Sequence, residues 1–461
     1  MNRQFTAIRA HFFLKLNNLK RRISVDGLIP TVKLFARHYG AKIIQKMRLP
    51  VATSTPSLPE WTLAQMQEIG KDIDSNLWPH SWRLAEINYH HVPVERRGAG
   101  EKYFQIKSKI KADKYDVLIF VPWMKMGGAD LATARYIDAY ASLGKNVLLV
   151  LTEESEVQFI NQGTSNFDFV STKELKCDPA LELAVVERLI VQLSPSYIHI
   201  INSKVAWELL KLRGHLVSKY TNVVVSLFCN DYLDEGLPVG YAEQYLADCS
   251  QYIYRIVSDN SISGKVWQDR IGVREEHVCP IYLPARQLKR KCFSSESKNI
   301  LWSGRFDRQK NLSTLFKVAA DMGEFNFYVY GDFVIDSGSA LSYPPNVYLM
   351  GTYNDIEEVA VRDYLLFLNT SLWDGLPNII LECLALGLPV ISSSVGGIPD
   401  ILDKKFLVNN PLDSEEYKIV ISEFLEDIEE SMRIFEESTL PLLESRHNTK
   451  AFQKAMHGVL A

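Results

Sequence analysis

Ser371-Leu-Trp-Asp-Gly-Leu-Pro-Asn-Ile-Ile-Leu-Glu-Cys-Leu-Ala-Leu-Gly-Leu-Pro-Val-Ile-Ser392 is the stretch that decides how this chain is read. It predicts a loop, a helix, a turn and a strand. Pro377 suits the first helical position, where a missing N–H costs nothing. The amides of Asn378 and Ile379 then fall in the first turn, without intrahelical acceptors. Such a turn attracts anions through its free N–H groups and its dipole. Gly375, just before it, leaves room for a ligand to approach the backbone. Asp374 lies on the approach loop and Glu382 about one and a half turns into the helix, so both carboxylates are placed to face one cleft. Gly387 ends the helix, and Leu388-Pro-Val-Ile opens a short apolar strand. An ordinary amphipathic helix of an α/β domain has the same outward pattern, and a second stretch upstream argues for more.

That stretch is Asn299-Ile-Leu-Trp-Ser-Gly-Arg-Phe-Asp-Arg-Gln-Lys-Asn311. A strand ends at Ser303-Gly304, and Arg305 and Lys310 follow in its loop. Two cations converging from one loop can neutralise a diphosphate; a plain basic turn is the alternative. Strand and helix patterns alternate on both sides. Asp116–Pro122, Asn146–Leu151, Tyr197–Ile201, Phe325–Gly331, Asn346–Gly351 and Leu365–Asn369 read as strands, and Leu131–Leu143, Ala180–Leu193 and Val205–Leu212 as helices. Such alternation predicts doubly wound sheets, whose ligands bind outside the carboxyl ends of the strands. Gly127-Gly128, at a strand-to-helix turn, permits close approach of a diphosphate or an acceptor, though tight turns use Gly-Gly as well. Cys229, Asn230 and Asp231 follow the strand that starts at Val223; they are candidate contacts for sugar or acceptor, with Asp231 alternatively capping a turn. His199, alternating with apolar neighbours, reads as a core histidine.

These motifs resemble the donor-site signature of family four retaining glycosyltransferases, with the GT-B fold: two doubly wound Rossmann-like domains facing a cleft. The family has two Glu separated by seven residues; here Asp374 and Glu382 keep the spacing, with a shorter first acid. Cys229 stands where many relatives carry a histidine. The resemblance covers roughly residues 115–410. It implies that Arg305 and Lys310 hold a nucleotide diphosphate, helped by the turn at Asn378-Ile379. It further implies that Glu382 accepts ribose hydroxyls, and that Asp374 with the backbone from Gly375 through Leu376 to Pro377 holds the sugar. Gly127, Gly128 and Gly304 complete the donor contacts. No metal and no further cofactor is expected, because protein cations stabilise the leaving group. A nucleotide-sugar-binding scaffold and a sugar-nucleotide epimerase of the same fold remain as alternatives.

Composition sets the outer limits. The 461 residues are 47% hydrophobic and 23% charged, enough for several cores. Residues 1–50 hold eleven Lys or Arg against the single acid Asp26; with the whole chain at −4, a +10 start leaves −14 on the remainder. Two basic amphipathic helices are expected at 3–22 and 29–47, suited to an anionic membrane surface or to docking on the acidic stretch 413–444, with a disordered arm as the third reading. Nucleic acid is not expected, since aromatics are not interleaved with the basic groups. Six cysteines without CxxC spacing, and no apolar run of spanning length, point to a cytoplasmic protein, at most peripheral on the inner membrane face. The expected organisation is a basic helical extension at 1–49, a linker and mixed segment at 50–112, an acceptor-side domain at 113–285, a donor-side domain at 296–440, and a helix at 441–461 that crosses back. Asp72-Ile-Asp74 spells a metal motif of another glycosyltransferase fold but reads as a solvated helix face. A lipid-linked or other glycan acceptor fits the basic start.

Overall fold

We describe the chain from a computed structural model, over residues 60–73, 75, 78, 94–125, 127–157, 167–289, 293–333 and 342–460. The expected basic helices of 1–49, the linker at 50–59 and Asp74 lie outside these residues. The chain divides into two units, 1–92 and 93–461. The described part of the first unit is chiefly the helix α1, Glu60–Asp72, with Asp72 exposed at its end.

The second unit opens with α2, Val94–Lys107. A first lobe follows: β1 Val117–Val121, α3 Gly128–Ser142, β2 Val147–Leu151, β3 Asp168–Ser171, α4 Pro179–Leu193, β4 Tyr197–Ile201, α5 Lys204–Val217 and β5 Asn222–Ser226. A small antiparallel hairpin comes next, β6 Asp231–Tyr232 with β7 Pro238–Val239, then α6 Tyr241–Cys249, β8 Arg255–Ser258, α7 Ile262–Ile271 and β9 Val278–Pro280. The main sheet is parallel, in the order β3-β2-β1-β4-β5-β8-β9. Every residue of β1, β2 and β4 is buried, because helices cover both faces; this explains their unbroken apolar sequences. Each such Val, Leu or Ile contributes about 1.5–3 kcal/mol by leaving water. His199 of β4 is a core residue: Nε2 lies 2.8 Å from Ser226 Oγ and Nδ1 3.0 Å from Tyr140 Oη, and burial pushes its pKa down to about 3.

The first lobe starts earlier than residue 113. Ala99, Tyr103 and Ile106 of α2 are buried in its core, against α4. Their spacing of four and three residues is the stripe of a packed helix, hidden in the sequence by the Arg and Lys around it.

The second lobe contains β10 Asn299–Ser303, α8 Leu312–Asp321, β11 Asn326–Tyr330, β12 Val347–Gly351, α9 Ile356–Val359, β13 Leu366–Asn369, α10 Asn378–Ala385, β14 Val390–Ser393, β15 Leu407–Val408, α11 Ser414–Glu426, α12 Ile428–Ile434 and α13 Leu440–Arg446. Its parallel sheet runs β12-β11-β10-β13-β14-β15, so each lobe reverses its strand order beside its first strand. Those reversals and the carboxyl ends of the strands border the cleft. The last helix, α14 Thr449–Leu460, returns to the first lobe. Phe452, Met456 and Val459 bury against Tyr136 and Tyr140 of α3, and Tyr197 Oη donates to the carbonyl of Leu460 at 2.7 Å. Two Rossmann-like α/β lobes with a cleft between them make this a GT-B arrangement.

Candidate active site

The loop after β10 is built tightly. Gly331 follows β11 at φ +138°, and a Cβ there would lie 1.9 Å from the carbonyl oxygen of Gly304. Only glycine lets these two strand ends meet. Arg305 stays with its own loop: Nη2 donates to Gln309 Oε1 at 2.7 Å, and Nε lies 3.2 Å from Asp307 Oδ2. Gln309 ties this loop to the one after β13, donating to the carbonyl of Trp373 (2.9 Å) and accepting from the amide of Leu372 (2.8 Å). Lys310 Nζ pairs directly with Asp374 Oδ2, and both side chains are nearly enclosed, 13% and 12% exposed. Ser371 Oγ also donates to Asp374, at 3.1 Å. Lys310 and Asp374 are thus brought together, with Arg305 on the more open side.

Pro377 caps α10 instead of occupying its first turn. Its φ of −62° would suit either place, but ψ is 129°, so the helix starts one residue later, at Asn378. Across from that start lie the exposed Gly127 and Gly128 of the first lobe; a Cβ on Gly128 would be 3.4 Å from Asn378 Nδ2. Asp130, in the first turn of α3, accepts the amide of Lys125 at 3.1 Å and so braces this glycine turn. Burial pushes the Asp130 carboxyl up to about 6, against the lowering effect of the Lys125 and Gly127 amides.

Glu382 has a different cation from Asp374. Its Oε1 lies 3.7 Å from Nη1 of Arg286, whose guanidinium also binds Asp355 in a two-pronged contact (3.1 and 2.8 Å). Burial raises the pKa of Glu382 and Arg286 lowers it. Beside this cluster Tyr353 Oη meets Ser303 Oγ at 2.9 Å, which connects Glu382 to the end of β10. Arg286 lies in the segment between the lobes, where the sequence shows only its charge. Its role is illegible there, because its partners are 69 and 96 residues further along the chain.

From the first lobe, Cys229 reaches the cleft. The residue is exposed, yet the walls on either side desolvate its thiol, and together with Asp374, Asp259 and Asp231 they push it up to about 12. The raised value keeps the thiol in its neutral form at physiological pH. Asn230 is tethered within its lobe, donating to Glu243 at 3.1 Å. Asp231 accepts Trp373 Nε1 at 3.1 Å, a bond between lobes. Arg308 donates to the carbonyls of Tyr232 (2.7 Å) and Leu233 (2.8 Å). Sequence reasoning missed Asp259, Asn260 and Ser261. Asp259 accepts the amide of Leu376 at 2.9 Å and occupies the space beside Gly375 that the sequence reading reserves for a ligand. Asp400 accepts from the amide and hydroxyl of Ser261, both at 2.7 Å, and from Tyr282 Oη at 3.2 Å. The available signal was a polar run, Ser258-Asp-Asn-Ser261, closing an apolar strand.

Among the described residues, no group of three or more His, Cys, Asp or Glu is arranged to hold a metal ion, and no helix is long and apolar enough to cross a membrane.

With this geometry in hand, residues 297–427 match the family model described as Glycosyl transferases group 1. Over 178 residues, 35% of this chain, the sequence is 30% identical to an uncharacterised 41.2 kDa protein in the cps region of Klebsiella pneumoniae; the match spans about half (48%) of that relative's length. The fold is similar to that of HepE from Anabaena, solved with UDP and glucose (TM-score 0.60, 15% identity, 75% of this chain and 99% of that one). It is also similar to the lipopolysaccharide outer core galactosyltransferase WaaB in its apo form (TM-score 0.58, 16% identity, 74% of this chain and 99% of that one). At these identities the structural likeness shows the fold. The chain is a GT-B-fold protein whose second lobe is similar to group 1 glycosyltransferases.

Proposed function

We propose that the chain is a retaining glycosyltransferase that moves a sugar from a nucleotide-diphosphate donor to a glycan or lipid-linked acceptor in surface-polysaccharide synthesis. The observation that carries this reading is the meeting of Gly128 with Asn378. It sets the glycine turn of one lobe against the helix start of the other, one loop away from Lys310 and Asp374. Arg305, Lys310 and the first-turn amides of Asn378 and Ile379 would hold the diphosphate, with Gly127, Gly128 and Gly304 leaving it room. Glu382 would accept ribose hydroxyls. Asp374 and the backbone from Gly375 to Pro377 would hold the sugar, and Cys229, Asn230 and Asp231 would line the side where the acceptor enters.

The bond from the anomeric carbon to the diphosphate oxygen breaks with its electron pair leaving on the diphosphate. The acceptor hydroxyl attacks the same face and passes its proton to the departing group. Charge grows on the diphosphate during this step, so fixed cations and amides aimed at it lower the barrier. Lys310 is paired with Asp374 in this structure, so the diphosphate must compete for that ammonium. The names of the relatives, a cps-region protein and a lipopolysaccharide galactosyltransferase, support the polysaccharide setting. The basic residues 1–49 would hold the enzyme on an anionic inner-leaflet surface.

The test is nucleotide release from a panel of donors, with membrane extract as acceptor. Transfer should occur with at least one donor. Arg305→Ala should weaken nucleoside diphosphate binding on the order of 10- to 100-fold, the worth of a charged hydrogen bond, and leave nucleoside binding unchanged. Equal loss of both would remove Arg305 from the diphosphate site. Tight nucleotide binding with no release from any donor would make the chain a scaffold.

A further inference from the structure

The carboxyl end of β8 carries three consecutive polar residues, and each meets the second lobe at its own point. Asp259 Oδ2 accepts the amide of Leu376 at 2.9 Å, and its Oδ1 accepts Asn260 Nδ2 at 2.7 Å. A Cβ on Gly375 would lie 2.4 Å from Asp259 Oδ2 and 3.0 Å from Oδ1. A Cβ on Gly397 would lie 2.4 Å from the Cβ of Asn260. Asn260 cannot yield, because its Oδ1 accepts the amides of Ile262 (3.1 Å) and Ser263 (2.9 Å) and so caps α7. Ser261 completes the run on Asp400.

Two features set this contact apart from ordinary packing. Gly375 and Gly397 are not in the left-handed region, so nothing in their own backbone calls for glycine. At Gly375 only the opposite lobe forbids a side chain, and at Gly397 the hard clash is again with that lobe, Leu376 Cβ of the same lobe lying at 3.3 Å. Asp259 and Asn260 are also buried, at 5% and 0% exposure, and the hydrogen-bond donors to Asp259 are a backbone amide and a carboxamide, both neutral. Burying a carboxylate without a cation is expensive. An apolar residue would fill the space at lower cost but could not accept the amide of Leu376.

We propose that Asp259 is a positioning residue: from the first lobe it fixes the backbone of the loop Asp374–Pro377, so that this loop takes its working shape only when the lobes are closed. The proposal rests on the reading above, which makes that loop the holder of the donor sugar. Nucleotide binding in the second lobe and shaping of the sugar loop then become separate events. With the lobes apart, Leu376 loses its acceptor and the loop relaxes, so the donor sugar is held for transfer only beneath the acceptor lobe.

The experiment compares the full-length chain with Asp259→Ala, Gly375→Ala and the double variant. Exchange of the Leu376 amide should quicken roughly tenfold or more in both single variants, since the bond that protects it is broken or pushed away. Affinity for uridine diphosphate, used as the probe, should stay within about twofold, while turnover falls roughly 100-fold, as for a misplaced reacting group. The double variant should be no slower than Gly375→Ala alone, because removing the carboxylate also removes the collision. Asp259→Asn, which retains one acceptor, should recover part of the rate. Unchanged Leu376 exchange in Asp259→Ala, or strictly additive losses in the double variant, would overturn the proposal. Absence of uridine diphosphate binding and of donor turnover in the unaltered chain would instead count against the transferase reading, and the exchange measurement would still decide the cross-lobe bond.

Discussion

The two lobes share a strand order and equip their cleft edges differently. In the second, the loops after β10 and β13 are fastened to each other, by Gln309 to Leu372 and Trp373 and by Lys310 to Asp374. In the first, the edge residues Asp231, Asp259 and Ser261 direct their bonds at the opposite lobe. One lobe carries a self-supporting cationic site. The other supplies carboxylates and glycines that mean little until the second lobe arrives. The family match follows the same line, covering 297–427 and leaving the first lobe outside. A site that supports itself leaves a local sequence signature, and a site completed by a distant partner does not.

The sharpest way to break this contrast is Lys310→Met. It leaves the nearly enclosed Asp374 without its cation and should cost about 3–5 kcal/mol in urea unfolding, with Lys310→Met/Asp374→Asn recovering most of it. The exposed first-lobe pair Lys125–Glu154, at 2.9 Å, should lose no more than about 1 kcal/mol on Lys125→Met. Equal costs would mean that the second lobe is no more self-supporting than the first.

A smaller effect is expected in pH dependence. Burial raises the Asp259 carboxyl to about 7 from the usual 3.8. Between those values the native state keeps a proton that the unfolded chain releases. The group's contribution to stability is therefore complete below about pH 4 and lost as pH rises through 7. The stability of the unaltered chain minus that of Asp259→Asn should fall across this window by roughly 2–4 kcal/mol. The neutral core histidine His199 acts in the opposite direction but cancels in the difference. A flat difference curve would show that Asp259 is ionised in the folded chain at all these pH values.

The smallest effect belongs to Arg308→Ala. This half-exposed side chain clasps the β6–β7 hairpin through the carbonyls of Tyr232 and Leu233. Stability should change by less than about 1 kcal/mol, and proteolytic nicking at residues 233–237 should quicken severalfold. No change in nicking would mean that the hairpin holds itself.

What could be read in advance follows from the same contrast. The parallel strands were legible because covering both faces forces an unbroken apolar run, as in Val117–Val121. The helix after Pro377 was legible to within one residue, because Pro and Gly387 mark its ends. At Gly375 the loop alone does not show its neighbour across the cleft, Asp259, 117 residues before Leu376. Arg286 was hidden in the same way, its charge visible and its partners not. Helix α2 escaped because its buried stripe is narrow and flanked by Arg96, Arg97, Lys102 and Lys107.

The chain passes between the lobes twice, after β9 and again just before α14, and the passages touch where the Ala285 amide meets the His447 carbonyl at 2.9 Å. A body fastened at two adjoining points swings like a door on its pins and cannot slide along the frame. Opening should therefore lift the far rim of the cleft most and leave the neighbourhood of Arg286 and Glu382 almost still; on the function proposed above, the donor would stay by the hinge while the acceptor enters and leaves at the rim.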